Sequence, residues 1–186
     1  MKRLYIYLSL FLLLIIPNFA SAQRTMRGQD FVSANLLQDF TSARSFGGAV
    51  SYGRYLYSSY WKSNIGIDNR VAGLSNGMDM DYSQIHAGVD WMYRCCSTFS
   101  RSVSLYAGAG VFLGYEAYDM TDRIPANINT GLGKGSFLYG ARANLELEAF
   151  VATQWALLVS CSLPIHPGCP VRWFSWSAGV GVRYNL

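Results

Sequence analysis

Hydrophobic and polar residues alternate along 173–186, the last segment of the chain. Because a β-strand sends consecutive side chains to opposite faces, the alternation gives this segment two different faces. The apolar face has aromatic residues near both ends and holds Phe174, Trp176, Ala178, Val180, Val182, Tyr184 and Leu186. The other face is small or polar and holds Ser175, Ser177, Gly179, Gly181, Arg183 and Asn185. This division is typical of a transmembrane β-strand.

Seven earlier segments alternate in the same way. They span residues 31–36, 46–52, 61–71, 82–94, 103–118, 136–151 and 155–163. Strands of about ten residues, rising roughly 3.3 Å per residue and tilted by about 40°, cross the apolar band of roughly 25 Å found in outer-membrane barrels. The pattern therefore predicts an all-β fold, an eight-stranded antiparallel outer-membrane-type β-barrel with a polar, side-chain-filled lumen.

The connections between the predicted strands alternate in length. We expect turns at 55–59, 95–101 and 152–154, and loops at 37–44, 72–81, 119–135 and 166–172. Outer-membrane barrels have short periplasmic turns and longer extracellular loops. The order of the connections therefore predicts a periplasmic N-terminus, with 119–135 as the longest extracellular loop.

The N-terminal segment has the three parts of a secretory signal peptide. Lys2 and Arg3 precede an apolar core at 4–16, and Ala20 and Ala22 supply the small residues that signal peptidase requires. The core is too short for a membrane-spanning helix, which needs about 20 apolar residues. The sequence therefore predicts a cleaved signal peptide at 1–22 and a single transmembrane β-barrel domain at 23–186.

The composition agrees with a barrel that lies in lipid. Hydrophobic residues make up 51% of the chain and charged residues only 14%, whereas ordinary soluble domains are roughly 25% charged. The formal charge of +4 falls to +2 when Lys2 and Arg3 leave with the signal peptide. That charge is too small to indicate a nucleic-acid surface. We predict outer-membrane lipid as a partner and no direct nucleic-acid binding.

The polar face distinguishes two kinds of exported barrel. A lipocalin-like carrier has an apolar interior, whereas a small outer-membrane barrel has a polar one. Ionisable residues collect on the polar face, at Asp68, Arg70, His86, Asp90, Arg94, Glu116, Arg142, Glu146, Glu148 and Arg183. On a lipid face, charges cost about 2–4 kcal/mol each near the bilayer midplane. We therefore predict that these groups fill and close the lumen, and that Arg183 can pair there with strands such as the one carrying Glu146 and Glu148.

Candidate catalytic and metal-binding patterns are weak. The glutamates at 146 and 148 lie on one face, with Arg142 four residues earlier, but lumen ion pairing explains them better than paired-carboxylate catalysis. His86 has no nucleophile at a recognisable spacing. Residues 129–136 lack the first glycine of a phosphate-binding loop, and Asp79 and Asp81 are expected in a solvated loop. We predict no catalytic, cofactor-binding or metal-binding residues, no cofactor and no enzymatic activity.

The four cysteines do not have the spacing of a metal site. Cys95 and Cys96 are adjacent in a predicted turn, Cys161 has the lipid-facing parity, and Cys169 is expected at the opposite end of the barrel. A disulfide between the two ends would have to span the length of the barrel, which disulfide geometry forbids. Free thiols are therefore the expectation.

Four short motifs, spread over residues 23–186, occur in a recognisable order. They are Met26-Arg27-Gly28, Gly114-Tyr115-Glu116, Phe137-Leu138-Tyr139-Gly140-Ala141 followed by Leu145-Glu146-Leu147-Glu148, and Gly179-Val180-Gly181-Val182-Arg183-Tyr184. With these motifs the chain resembles the conjugative-transposon TraO family of Bacteroidetes. The resemblance implies an outer-membrane-associated component of a DNA-transfer apparatus, with other subunits of that machinery as partners and no catalytic residues.

These observations lead to one favoured function and two alternatives. The favoured hypothesis is a non-enzymatic outer-membrane barrel that serves conjugation as an accessory or scaffold subunit, through its 119–135 loop or its periplasmic turns. The first alternative is a general small outer-membrane barrel for adhesion or envelope integrity. The second is a soluble exported lipocalin-like carrier.

Overall fold

A computed structural model describes residues 27–40, 45–73, 79–98, 102–118, 135–167 and 174–186. The predicted signal peptide and Cys169 lie outside these residues. The described residues form eight strands, β1 (Asp30–Asp39), β2 (Phe46–Tyr55), β3 (Ser59–Gly73), β4 (Asp79–Ser97), β5 (Val103–Tyr118), β6 (Gly135–Phe150), β7 (Trp155–Ile165) and β8 (Ser177–Asn185). Among the residues described, none belongs to a helix long and apolar enough to cross a membrane.

The eight strands close into a barrel. Each strand pairs antiparallel with the next, and β8 returns to pair with β1 from Phe31↔Asn185 to Asp39↔Ser177. Closure leaves neither β1 nor β8 as a free edge over this length. The predicted eight-stranded antiparallel barrel is confirmed.

Side chains divide between the outer face and the lumen as the alternation predicts. On β1, Leu36 is 72% exposed on the outer face, while Phe31 and Ser33 are buried in the lumen. On β8, Val180 and Val182 are exposed and Arg183 is buried. The apolar surface of this protein is therefore outside, and most of its buried charge is inside.

The strands extend beyond several predicted boundaries. Residues 37–39 continue β1, and 95–97 continue β4. The loop predicted at 72–81 is wrong at both ends, because β3 and β4 remain paired up to Gly73↔Asp79. Backbone hydrogen bonding does not require apolar side chains, so a ladder continues where hydrophobic alternation stops. By contrast, β8 is shorter than the segment predicted at 173–186, because it begins only at Ser177. Before it, Phe174 makes an isolated bridge with Ile165.

The two ends of the barrel differ in their connections. At the end that carries Asp30 and Asn185, which we call the termini end, the turns are 56–58, 98–102 and 151–154. At the opposite end, the loop end, the connections are 40–45, 74–78, 119–134 and 166–176. The longest connection is therefore at the loop end, as predicted.

Close packing inside the barrel makes one glycine position sensitive to substitution. Gly110 of β5 lies opposite Asp90 of β4, and a Cβ at this position would overlap the Asp90 carboxylate and the Val89 carbonyl oxygen. We predict that Gly110→Val lowers the free energy of unfolding by about 1–3 kcal/mol or more, because overpacking forces the neighbours to move. This change is measured by urea titration, in which heat-modifiable gel mobility gives the folded fraction at each urea concentration.

The matched control is Ala109→Val, one residue earlier on the exposed outer face of the same strand. It introduces the same side chain without filling the lumen. Equal losses of stability in the two variants would contradict the placement of Gly110 inside the barrel.

Candidate functional site

Arg183 is the centre of a charge cluster that crosses the lumen. This side chain is 0% exposed, and its Nη2 and Nη1 atoms donate to Glu146 Oε1 at 2.5 Å and to Glu148 Oε1 at 2.8 Å. The two glutamates lie on β6 and Arg183 on β8, so the ion pairs reach across the intervening strand β7. The predicted pairing of Arg183 with Glu146 and Glu148 is confirmed.

Aromatic and polar neighbours complete this cluster. Tyr55 donates its hydroxyl to Glu148, and Tyr60 donates its hydroxyl to Glu146. Lys62 Nζ donates to Glu146 Oε2 at 2.7 Å. The Arg183 guanidinium also lies 4.0 Å from the ring centroid of Phe31 and 4.8 Å from that of Tyr60, within cation–π range. We call this set the Arg183 layer; it comprises Phe31, Tyr55, Tyr60, Lys62, Glu146, Glu148 and Arg183.

The charges of the Arg183 layer balance. Two cationic groups, Lys62 and Arg183, face two carboxylates. A buried ion costs several kcal/mol of desolvation free energy unless a partner and hydrogen bonds compensate it. Each ion here has an opposite charge within 2.8 Å. The ion pairs therefore offset much of the desolvation cost of the layer, although Arg183 Nε and Glu148 Oε2 are buried without a hydrogen-bond partner.

An apolar and aromatic cluster closes the lumen on the same side. Phe31, Tyr55, Tyr60, Met92 and Tyr106 form one buried group, and the rings of Tyr60 and Tyr106 pack edge-on with centroids 4.8 Å apart. The sequence predicted a polar lumen and missed this cluster. Phe31 and Tyr106 have the parity of lumen-facing residues, so the sequence contained a signal for part of this cluster. Tyr55 gave no such signal, because it lay in the turn predicted at 55–59.

The half of the lumen nearer the loop end contains a second set of ion pairs. Arg142 donates to both oxygens of Asp90, at 2.7 and 3.0 Å. Arg142 shares a strand face with Glu146, but its ion-pair partner is Asp90 of β4. Arg70 donates to Asp68 at 3.1 Å and also lies 3.6 Å from a carboxylate oxygen of Asp39. Predicted lumen charges are paired in this region too.

Small polar cavities separate these ion pairs. One of about 40 Å³ is lined by Arg70, His86 and His166, and another of about 60 Å³ by His86, Asn64 and Asn144. Cavities of this size hold a few water molecules and exclude an organic substrate. Several buried side-chain atoms without a hydrogen-bond partner belong to residues lining the two cavities, namely Asn35 Oδ1, Asn64 Oδ1, Arg70 Nε, Asn144 Nδ2, Ser160 Oγ, His166 Nδ1 and His166 Nε2. We infer that water satisfies them.

The two histidines that the structure describes, His86 and His166, are both buried. His86 Nδ1 lies 3.7 Å from Asp68 Oδ2, and its ring packs edge-on to Phe112. Burial and then the charge of Arg70 lower the pKa of His166 to about 4, which keeps that ring neutral at neutral pH. The His166 ring also packs edge-on to Phe112, with ring centroids 5.2 Å apart, so the geometry supports a packing role for both histidines.

The remaining candidate residues are separated from one another. Within the described ranges, no three His, Cys, Asp or Glu side chains are placed to share a metal ion. Asp79 and Asp81, expected in a loop, instead belong to β4. Of residues 129–136, the first six lie outside the described residues and the last two begin β6. Cys95 and Cys96 are exposed free thiols and Cys161 is a partly exposed one.

Removing the central cation should destabilise the barrel. In Arg183→Met, Glu148 loses the guanidinium that pairs with it at 2.8 Å. Breaking a buried ion pair in this way costs about 3–5 kcal/mol, because the remaining charge is uncompensated. We predict such a loss in the free energy of unfolding, measured by urea titration of the refolded protein, and partial recovery when Glu148→Gln is added.

Arg54→Met is the matched control. Arg54 forms an ion pair with Asp30 at 2.5 Å, but on the exposed rim of the barrel, where water screens charge. We expect little change in this variant. A loss equal to that of Arg183→Met, or no recovery with Glu148→Gln, would show that burial of the ion pair is not what makes Arg183 important.

Comparisons with known proteins agree with this geometry. A family model described as conjugative transposon protein TraO matches residues 23–186. Neisserial surface protein A (NspA) has a similar structure, with 16% identity, a TM-score of 0.62, and coverage of 84% of this chain and 97% of that chain. OprG from Pseudomonas aeruginosa is similar at 10% identity and a TM-score of 0.58, covering 89% of this chain and 99% of its own.

A third similar structure is that of Ail, the attachment invasion locus protein of Yersinia pestis, in complex with the heparin analogue sucrose octasulfate. Its identity to this chain is 13% and its TM-score 0.54, and the match covers 87% of this chain and 100% of that chain. No curated protein matches the sequence. At these identities the solved structures show the fold alone, which is that of small outer-membrane barrels. The family match covers all of the predicted mature chain. The chain therefore belongs to the conjugative transposon protein TraO family.

Proposed function

We propose that this protein is a non-enzymatic outer-membrane component of a conjugative DNA-transfer apparatus, and that it acts there as an accessory or scaffold subunit. The family description supports a part in conjugation. The observation that carries the proposal is the filled lumen, in which the Arg183 layer occupies the place of a channel or substrate site. The surfaces that remain for function are the outer face and the two ends.

The outer face supports a position in the membrane. Exposed aromatic side chains form two rings, as they do at the two interfaces of membrane barrels. At the termini end they are Tyr52, Trp91, Tyr93 and Trp155, and at the loop end Phe46, Tyr115, Phe137, Phe174 and Trp176. Between the rings lie exposed aliphatic side chains such as Val89, Val111, Val159 and Val180. Lipid would cover this band.

The same distribution disfavours the carrier alternative. A lipocalin-like carrier needs an apolar cavity, but the cavities inside this barrel are small and lined by ionisable and amide side chains. A large apolar surface outside the barrel would also be unfavourable in water. Export through the cleaved signal peptide at 1–22, followed by insertion into the outer membrane, is the proposed route. The termini end then faces the periplasm.

The proposed mechanism is structural. The barrel anchors in the outer membrane, and either the 119–134 connection or the periplasmic turns contact other subunits of the machinery. A filled lumen suits this role, because ion pairs that cross between β6 and β8 resist deformation of the wall. DNA is not proposed to contact the chain, since the formal charge of +2 that remains without Lys2 and Arg3 is too small to indicate a nucleic-acid surface.

The proposal predicts that conjugation depends on this protein. Deletion of the gene should lower the transfer frequency of the element, and expression of the wild-type chain in trans should restore it. A chain in which a short Gly-Ser turn replaces residues 120–134 tests the loop separately, because barrels tolerate loop changes. If the loop contacts the partner subunits, this variant should insert normally but fail to restore transfer. If the periplasmic turns make those contacts instead, the variant should restore transfer.

Membrane fractionation and heat-modifiable gel mobility of each variant provide the control for folding and location. A deletion strain that transfers at the wild-type frequency would contradict the proposed role. Such a result, together with an intact barrel in the outer membrane, would favour the alternative of a general barrel for adhesion or envelope integrity. A soluble chain without a heat-dependent shift would contradict the membrane location.

A further inference from the structure

Cys95 and Cys96 lie at the termini end of β4, where the strand contains a β-bulge. The register with β5 shifts between Arg94 and Cys96, so that Cys95 is an extra residue without a partner of its own. A bulge places two consecutive residues opposite one residue of the neighbouring strand. Cys95 follows Tyr93 by two residues, and Cys96 pairs with Leu105. Tyr93 and Leu105 both belong to the outer face of the barrel. The bulge therefore brings both thiols, which we call the thiol pair, to the outside of the barrel.

The surroundings of the thiol pair leave it accessible. The pairing of β3 with β4 begins at Ser59↔Tyr93, so the residues from Cys95 to Ser97 have β5 as their only neighbouring strand. Both cysteines are exposed free thiols. They also lie past Tyr93, which belongs to the aromatic ring at the termini end, and hence on the water side of the proposed lipid band.

Disulfide formation within the chain is unfavourable at this site. Adjacent residues have Cα atoms about 3.8 Å apart, which is less than the roughly 4.4–6.8 Å that disulfides usually span. Cys161 lies on β7, three strands away, and three strand spacings of about 4.8 Å amount to roughly 14 Å around the wall. Among the cysteines that the structure describes, the thiol pair therefore has partners only in another molecule.

We propose that the thiol pair is a covalent linkage site, through which disulfides join one copy of this chain to a second copy at the periplasmic rim. Two copies in one membrane hold the same residue at the same depth. A two-fold axis along the membrane normal that passes beside the termini end of β4 would bring the outer-face thiols of the two copies together, as an isologous contact requires. The periplasm is an oxidising compartment in which such bonds persist.

The chemistry is thiol–disulfide exchange with a disulfide oxidant. The thiolate of Cys95 or Cys96 attacks the oxidant, forms a mixed disulfide and expels one thiolate, which takes up a proton. A thiolate of the second copy then attacks the mixed disulfide and expels the other half of the oxidant as a second thiol. Two protein thiols become one interchain disulfide, and one disulfide of the oxidant becomes two thiols.

The linkage is tested on the full chain inserted in lipid vesicles, with oxidised glutathione as the oxidant. Only protein with heat-modifiable mobility, and therefore folded, is scored. We expect a band of twice the monomer mass on non-reducing gels, which reductant converts back to monomer. In the double variant Cys95→Ser/Cys96→Ser this band should fall to background, whereas Cys161→Ser, the matched control, should keep it.

Peptide mapping of the dimer should find the interchain bond between Cys95 or Cys96 of the two copies. A folded wild-type chain that stays monomeric, whether glutathionylated or closed into a Cys95–Cys96 disulfide, would overturn the proposal. So would a double variant that links as well as the wild type. The linkage rests on the proposed membrane location but is measured without DNA transfer, so loss of conjugation dependence would refute the proposed function and leave this result standing.

Discussion

The structure depends on how this protein compensates charges that it buries inside a narrow barrel. Arg183 has no exposed surface, and its guanidinium is held by two carboxylates and lies against aromatic rings. Removal of one partner from such a network is costly, because a buried ion without a counterion retains its full desolvation penalty. The network consequently ties β8, the last strand, to β6 through the lumen, in addition to the hydrogen bonds that β8 makes with β7 and β1.

This constraint has consequences for function. The lumen at the termini end is filled by the Arg183 layer and by the rings of residues such as Tyr106. Towards the loop end, the described residues enclose cavities of about 40 and 60 Å³, which hold a few water molecules. Cavities of this size inside the lumen are too small for an organic substrate. Outside the lumen, the structure presents an apolar outer band, the connections at the loop end, and a rim at the termini end where Cys95 and Cys96 are exposed.

Much of the fold could be predicted from the sequence, because one physical rule acts on every strand. Strict alternation of side chains separates outward-facing from lumen-facing residues, and it correctly placed Arg183 in the lumen with Glu146 and Glu148. The same rule could not locate strand ends. Beyond the apolar band the backbone ladder continues without an apolar face, which is why the hairpin of β3 and β4 extends through much of the segment predicted as a loop.

The parts of the site that the sequence did not reveal depend on three-dimensional packing. Tyr55 and Tyr60 flank a turn, and nothing in their spacing shows that their hydroxyls reach the glutamates of β6. The bulge at Cys95 is likewise a matter of register between β4 and β5, and a pair of adjacent cysteines does not predict it. By contrast, Phe31 and Tyr106 have the lumen parity, and this signal for an aromatic part of the interior was present in the sequence but was not used in the prediction of a polar lumen.

The most direct test of the filled lumen is the ionic current through the folded protein in a planar lipid bilayer. The wild-type chain, purified with its heat-modifiable mobility intact and shown to be inserted, should give no conductance steps above the baseline of the bare membrane, because the Arg183 layer and the aromatic cluster leave no continuous path for ions. Reproducible single-channel steps from the folded, inserted wild-type protein would contradict a lumen sealed by its own side chains.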